Sequence, residues 1–323
     1  MKYLWQNTAC YDKMRPENET AKGGIVMSTY KLINDILAIE VDDNGAELTR
    51  IFQQNTKTEY LWNGDPAYWK RRSPILFPIV GSLKNKSYTY RGQTYSLPQH
   101  GIARDLTFTI MNQSDKELWF YLDSNEETKK VYPFDFRLEL GYQLQENHIV
   151  VLWKVINTGE DKLYFSIGGH PAFLCPLREG ERQSDYYIQF DSDKPVHYLL
   201  VDENGLAVRK PFEEQHILTT EDGFLPIYTH LFDRDALIIE EKQYHCISLA
   251  DSAKKPYLSV SFDAPLFGLW SPAKKNAPFI CIEPWYGRCD ASDFDGTLEE
   301  REYGNELAAG DVFEASYTIT IHN

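Results

Sequence analysis

Phe136-Arg137-Leu138-Glu139-Leu140-Gly141-Tyr142-Gln143-Leu144 and His148-Ile149-Val150-Val151-Leu152-Trp153-Lys154-Val155 flank Gln145-Glu146-Asn147. Apolar side chains recur at every second position of the first segment, and the second is rich in β-branched residues. With turn formers between them, the pair predicts two long antiparallel strands. The same period of two extends in both directions. Upstream, Tyr30-Lys31-Leu32-Ile33 and Leu37-Ala38-Ile39-Glu40-Val41 precede Asn44-Gly45, the strongest short hairpin signal, and Glu47-Leu48-Thr49-Arg50-Ile51-Phe52 follows it. Tyr88-Thr89-Tyr90-Arg91-Gly92-Gln93-Thr94-Tyr95 predicts a second compact hairpin. Downstream, Ala236-Leu237-Ile238-Ile239, Tyr257-Leu258-Ser259-Val260, Phe279-Ile280-Cys281-Ile282 and Ala315-Ser316-Tyr317-Thr318-Ile319-Thr320 continue the pattern. Amphipathic helices are nearly absent; residues 222–232 predict at most a short one. Many strands with Gly, Asn and Asp at the joints predict an all-β chain, a large antiparallel β-sandwich with few short helices.

No Gly- or Ser-rich linker and no internal repeat divides the chain, so residues 27–323 are expected to form a single domain. Residues 1–26 are polar and unpatterned after their first few positions, and too charged for a secretory signal. Lys22-Gly23-Gly24, just ahead of Met27, can be encoded by a purine-rich stretch resembling a bacterial ribosome-binding site. We therefore expect the natural start at Met27 and a non-native or loosely ordered extension before it. An N-terminal arm packed on the domain is the alternative.

The 323 residues are 42% hydrophobic and 14% aromatic, enough for a large core. A net charge of −15 argues against nucleic acid and anionic membrane as partners. No apolar run approaches the roughly 20 residues that cross a bilayer. The five cysteines, Cys10, Cys175, Cys246, Cys281 and Cys289, are odd in number and lack metal-finger spacing. They read as reduced thiols of a cytoplasmic protein.

Three ionisable residues stand in unusual settings: His100 in Leu97-Pro98-Gln99-His100-Gly101, His170 in Gly168-Gly169-His170-Pro171-Ala172-Phe173, and Glu283 in Cys281-Ile282-Glu283-Pro284-Trp285-Tyr286-Gly287. Gly and Pro fix turns and let a ligand approach backbone, and a ring such as Trp285 covers C–H surface. A carboxylate and imidazoles can divide acid and base work near neutral pH. Glu283, in an otherwise apolar strand end, is costly to bury without a task or a cationic partner. In Trp69-Lys70-Arg71-Arg72-Ser73-Pro74, Arg71 or Arg72 is expected to reach a ligand, its rigid fork suiting sugar hydroxyls or a phosphate. Arg104 shares a segment with His100. Asp235 can bind a hydroxyl, although acidic residues ahead of a strand are usually solvated. Leu298-Glu299-Glu300-Arg301-Glu302 reads as charged surface. His100, His170 and Glu283 could form a facial metal triad. They lie on separate segments with no closely spaced His pair, so no metal is expected.

In this order, the Pro74-Ile75-Leu76-Phe77-Pro78-Ile79-Val80-Gly81, His100-Gly101-Ile102-Ala103-Arg104, Gly168-to-Phe173, Asp235-Ala236-Leu237-Ile238 and Glu283 segments resemble the aldose 1-epimerase (galactose mutarotase-like) family. The similarity is greatest to a bacterial branch encoded beside lactose and galactose genes. It implies a many-stranded β-sandwich and a cofactor-free interconversion of α and β anomers of an aldohexose or related sugar. It also implies His170 as general acid, Glu283 as general base, His100 holding the substrate and Arg71 lining the same pocket. Arg104 matches an arginine that relatives acting on sugar phosphates use near the phosphate, and Asp235 is a weaker match. The better-studied galactose mutarotases have Asn-His-Ser and Glu-Thr-Gln where this chain has Gly-His-Pro and Glu-Pro-Trp, which leaves the sugar open. A protonated His170 beside an ionised Glu283 is expected, with a bell-shaped pH profile. A monomer or homodimer acting on a small sugar is expected. A non-catalytic sugar-binding or regulatory module is the alternative. A hydrolase is less favoured, because it would usually need a second carboxylate.

Overall fold

In the computed structural model, which describes residues 17–19 and 27–322, Phe136–Gln145 and His148–Asn157 pair antiparallel from Phe136↔Asn157 to Gln145↔His148. They form the middle of a nine-stranded sheet with Val312–Ile321 as the next neighbour. Alternate burial runs along both strands, as the period-two pattern requires, except at Gly141, which the Trp119 ring covers. The Asn44-Gly45 hairpin forms between Leu37–Asp42 and Glu47–Gln53. The second hairpin turns at Arg91 and Gly92, both with positive φ. The expectation for residues 1–26 falls outside the described residues except at Glu17–Glu19, whose backbone pairs with the Met27–Ile33 strand.

A second, eight-stranded sheet lies against the first and carries the Phe279–Tyr286 strand near its middle. The two faces of that strand have different neighbours. Ile280 and Ile282 join the main core, and Tyr286 packs edge-on to Trp153 of the first sheet at 6.3 Å between ring centres. Phe279, Cys281 and Trp285 belong to smaller clusters on the opposite face. Strict alternation thus puts the odd-numbered residues, Glu283 among them, on the side away from the main core.

Two sequence expectations are corrected. Residues 222–232 form no helix, only the Phe224–Pro226 strand and turns; the α-helix among the described residues is Glu126–Val131. Its six residues are too few to show a helical period, and an Asn125/Thr128 capping box starts it. The Leu298-to-Glu302 stretch is not simply charged surface. Arg301 is buried, donating to Asp290 Oδ1 at 2.7 Å and to the Arg288 carbonyl at 2.8 Å, while Arg288 is buried between Glu240 and Glu302. A local charge count cannot reveal partners that come from other segments.

Trp153 is 2% exposed where the two sheets meet, and its ring also lies 5.3 Å from that of Tyr317. Trp153→Ala is expected to cost about 3–5 kcal/mol. Urea unfolding checks this, and a loss below 1 kcal/mol would mean the two sheets do not depend on this contact.

Candidate active site

His170 and Glu283 meet because of strand register. Ile167–Gly169 pairs with the Phe279–Tyr286 strand through Gly168↔Trp285, and Ala172–Leu174 pairs with it through Ala172↔Cys281. The two pairings keep one register, so the unpaired His170 between them falls across from Glu283, and opposed residues of antiparallel strands share a face. His170 Nε2 stands 3.3 Å from Glu283 Oε2, with the two side chains 8% and 1% exposed. The contact is close enough for an ion pair but is not aligned as a hydrogen bond, and Glu283 Oε2 has no hydrogen-bond partner. Gly168 and Gly268 flank this arrangement for a steric reason. A Cβ on either would strike the Trp285 indole, at 2.6 Å in the case of Gly168.

A cavity of about 400 Å³ opens onto the pair. It is lined by His170, Glu283, His100, Arg71, Arg104, Asp235 and Trp285, seven of the eight residues singled out from sequence. Arg72 is not among them. Its Nε donates to the Asn63 carbonyl at 2.9 Å, and its backbone N–H and that of Ser73 are held by the Glu47 carboxylate at 2.7 and 2.8 Å. That settles which arginine of the pair faces the cavity: Arg71.

Sequence reading passed over Trp69, Lys70, Gln99 and Trp270, which also line the cavity. The Trp69 ring stacks on His170 at 4.7 Å, and Trp270 meets the imidazole edge-on at 5.4 Å. Trp69 opens the quoted double-arginine segment, so a signal was present; nothing around Trp270 marks it. Glu47 lies in an ordinary hairpin strand, and only the fold brings it under the Arg72 backbone.

His100 is fixed by an exchange with Gly81. Its N–H donates to the Gly81 carbonyl at 2.8 Å, and the Gly81 N–H donates to His100 Nδ1 at 3.1 Å. With Nδ1 accepting, Nε2 carries the proton of the neutral ring, which suits a donor to a ligand hydroxyl. Burial, then His170, Arg104 and Arg71, hold the His100 pKa well below its ordinary value, so the ring stays neutral.

Burial decides the protonation of the pair as well. It pushes His170 down to about 3, helped by the charges of Arg104 and Arg71. It pushes Glu283 well up, with Asp235 adding to the rise; the Trp285 N–H offsets part of it without making a hydrogen bond. The expected protonated His170 beside an ionised Glu283 is therefore not the favoured form in the free protein. Both residues neutral, with one proton held on Glu283, is favoured.

The cavity walls are basic in a chain of net charge −15. Lys70, Arg71 and Arg104 face one exposed carboxylate, Asp235, besides Glu283. Arg71 is anchored on Asp105 at 2.7 Å, and Arg104 donates to the Gln99 carbonyl at 2.6 Å. Arg104 Nε is buried with no hydrogen-bond partner. Burial and the neighbouring Arg71 lower the Arg104 pKa to about 10.

Residues 28–298 match the family model described as aldose 1-epimerase. The chain belongs to the aldose 1-epimerase family. It is 32% identical over 310 residues to chromosomal protein LacX of Lactococcus lactis, a match covering 91% of this chain and all of that one. Among solved structures, the galactose mutarotase related enzyme of Lactobacillus acidophilus is 35% identical with a TM-score of 0.86, over 91% of this chain and 97% of its own. A galactose mutarotase-like protein of Lactobacillus casei is 26% identical with a TM-score of 0.83, over 91% of this chain and all of its own. The β-sandwich architecture is shared with these two structures, and family membership supports a role in sugar epimerisation or mutarotation.

If Glu283 keeps its proton in the folded state, folding binds a proton at any pH above the ordinary carboxylate value, so stability falls as pH rises. Glu283→Gln removes that term. The variant is expected to gain on the wild type by up to about 1.4 kcal/mol per pH unit above pH 4.5, until the native pKa is reached. Denaturation midpoints at pH 5, 6, 7 and 8 check this; a constant difference would mean Glu283 is already ionised in the folded protein.

Proposed function

We propose that the protein is an aldose 1-epimerase in which Glu283 and His170 interconvert the anomers of an aldose carrying a negative charge, such as a hexose phosphate. The observation that carries the reading is the His170–Glu283 pair, 3.3 Å apart at the floor of a cavity of sugar size. Glu283 takes the proton of the anomeric hydroxyl while His170 gives one to the ring oxygen. The C1–O5 bond opens, the aldehyde turns about C1–C2, and closure on the other face returns both protons. No electrons leave the sugar. Trp69, Trp270 and Trp285 cover its C–H surface, and the His100 Nε2–H holds a hydroxyl.

The basic wall supports an anionic substrate, and it bears on the chemistry too. Arg104 and Arg71 are among the causes that keep His170 from protonating. An anionic group bound to them cancels that repulsion and raises the His170 pKa, moving the shared proton from Glu283 towards the imidazole. Burial, the larger cause, remains, so binding of the substrate moves the pair towards the tautomer the reaction needs, with His170 as acid and Glu283 as base.

Polarimetry or anomeric proton NMR on fresh α-glucose, α-galactose and their 6-phosphates tests the reading. Equilibration is expected to accelerate, with kcat falling at least about 10²-fold in Glu283→Gln and in His170→Asn. Saturable binding without acceleration would instead make this a sugar-binding module. Arg104→Gln is expected to raise KM for the phosphorylated sugar about 10- to 100-fold, the loss of a charge-assisted contact, while changing little with the neutral sugar. An equal effect on both sugars would remove the anionic-substrate assignment.

The pH profile follows from the pair holding one proton. In kcat/KM, which reports the free enzyme, activity is expected to persist down to about pH 4, because burial keeps the His170 ring from taking a proton until near 3. It falls at alkaline pH once the pair loses its last proton. An acid limb centred near 6.5, the ordinary histidine value, would show that burial does not control His170.

A further inference from the structure

Next to the reacting pair, and not part of the cavity lining, lies Cys281. It stands two residues before Glu283 on the same strand and therefore on the same face, and it is fully buried. One donor atom each from His170, Cys281 and Glu283 lies within 4.8 Å of the other two. We propose that these three side chains form an inhibitory site for a borderline-soft divalent cation, with zinc the best fit, and that the ion competes with the sugar.

Three observations support the site. The first is geometric. Nitrogen and oxygen donors about 2.0–2.1 Å from a tetrahedral zinc stand about 3.3–3.4 Å apart. His170 Nε2 and Glu283 Oε2 are 3.3 Å apart without any ion. A zinc thiolate bond of about 2.3 Å puts sulfur about 3.6 Å from the other donors, so no separation among the three, all within 4.8 Å, has to close by more than roughly 1.2 Å. The adjustment falls to the Cys281 side chain, packed against Trp62 and Phe279, and to the imidazole between Trp69 and Trp270.

The second observation is an unmet need. Glu283 Oε2 is buried, has no hydrogen-bond partner and faces His170. The third concerns charge. A thiolate and a carboxylate together neutralise a divalent ion, with imidazole as an uncharged third ligand. The occupied site carries no net charge, which makes it tolerable at this depth. On binding, the thiol proton, and any proton on the carboxyl, leaves to solvent.

Three protein ligands leave a fourth position. His170 and Glu283 both line the cavity, so that position opens where the sugar binds. The ion occupies the acid and the base together, so turnover stops while it is bound. Magnesium, which demands oxygen donors and six ligands, finds only one carboxylate here and does not compete.

The experiment is a cobalt(II) titration of the full chain followed by absorption. The wild type is expected to bind one ion with tetrahedral d–d bands and a sulfur-to-cobalt charge-transfer band, and zinc is expected to displace it. Cys281→Ser, with Cys281→Ala as a second variant should the first fold poorly, is expected to lose the charge-transfer band and bind at least tenfold more weakly. In the anomerisation assay both variants are expected to keep wild-type turnover, since Cys281 does not line the cavity. Zinc is expected to inhibit the wild type at concentrations at least tenfold lower than either variant, and magnesium to leave all of them unaffected. A charge-transfer band that survives loss of Cys281, or zinc inhibition equal in wild type and variants, would overturn the proposal. The cobalt spectrum is read without any sugar, so the site stands or falls by it even if no anomerisation is found.

Discussion

Backbone pairing on both sides of His170 holds the Ile167-to-Leu174 segment and the Phe279–Tyr286 strand in one register, and the chemistry of the molecule hangs on that register. The segment pairs through Gly168, leaves the strand at His170 and Pro171, and pairs again from Ala172. A proline cannot donate to a ladder, so the interruption falls where the sequence has no donor to offer. What results is an imidazole held over a carboxylate by main-chain hydrogen bonds, and not by loops of its own. Sites built on strands in this way keep their separations better than sites built on loops.

Two clusters of ionisable groups flank the end of the Phe279–Tyr286 strand, one paired and one not. Past the end of the Glu283 strand, Arg288 pairs with Glu240 and Glu302, and Arg301 with Asp290. Arg301 also approaches Ser166 Oγ at 3.5 Å, tying the approach to His170 to the exit from Glu283. Glu283 Oε2 and His170 Nδ1, by contrast, have no hydrogen-bond partner. Their burial is unfavourable for either charged form, and a group kept uncomfortable in the free protein is one whose protonation a ligand can change. Arg288 of this network follows Glu283 by five residues, just past the end of the Phe279–Tyr286 strand.

Much of this was legible in the sequence because the signals were local. Period-two alternation in 136–155 and the Asn44-Gly45 and Arg91-Gly92 turns declare strands and hairpins without reference to the rest of the chain. His170 and Glu283 stood out because glycine, proline and aromatic neighbours surround them. What stayed hidden depends on segments far apart in sequence. Arg301 looked like surface because its partners Asp290 and Arg288 are brought to it by the fold. Trp270 and Glu47 have unremarkable neighbours in sequence and become significant only in space. Arg71 and Arg72 could not be told apart, because the choice is made by Glu47 and Asn63, which hold Arg72 from the far side.

The alternation that places Glu283 also accounts for what lies beside it. A strand whose even-numbered residues are committed to the main core must present its odd-numbered ones to the other side, and those are Phe279, Cys281, Glu283 and Trp285. Phe279 and Cys281 close the inner end against Trp62 and Ala172. Trp285 fills the outer end over two glycines, and Glu283 is left between them as the polar member of an otherwise apolar row. Its carboxyl is therefore desolvated by its own strand neighbours before any substrate arrives. The raised proton affinity and the proximity of the Cys281 thiol are then two consequences of a single fact. The base sits in the middle of a buried strand, where the residue two positions away is necessarily on the same face.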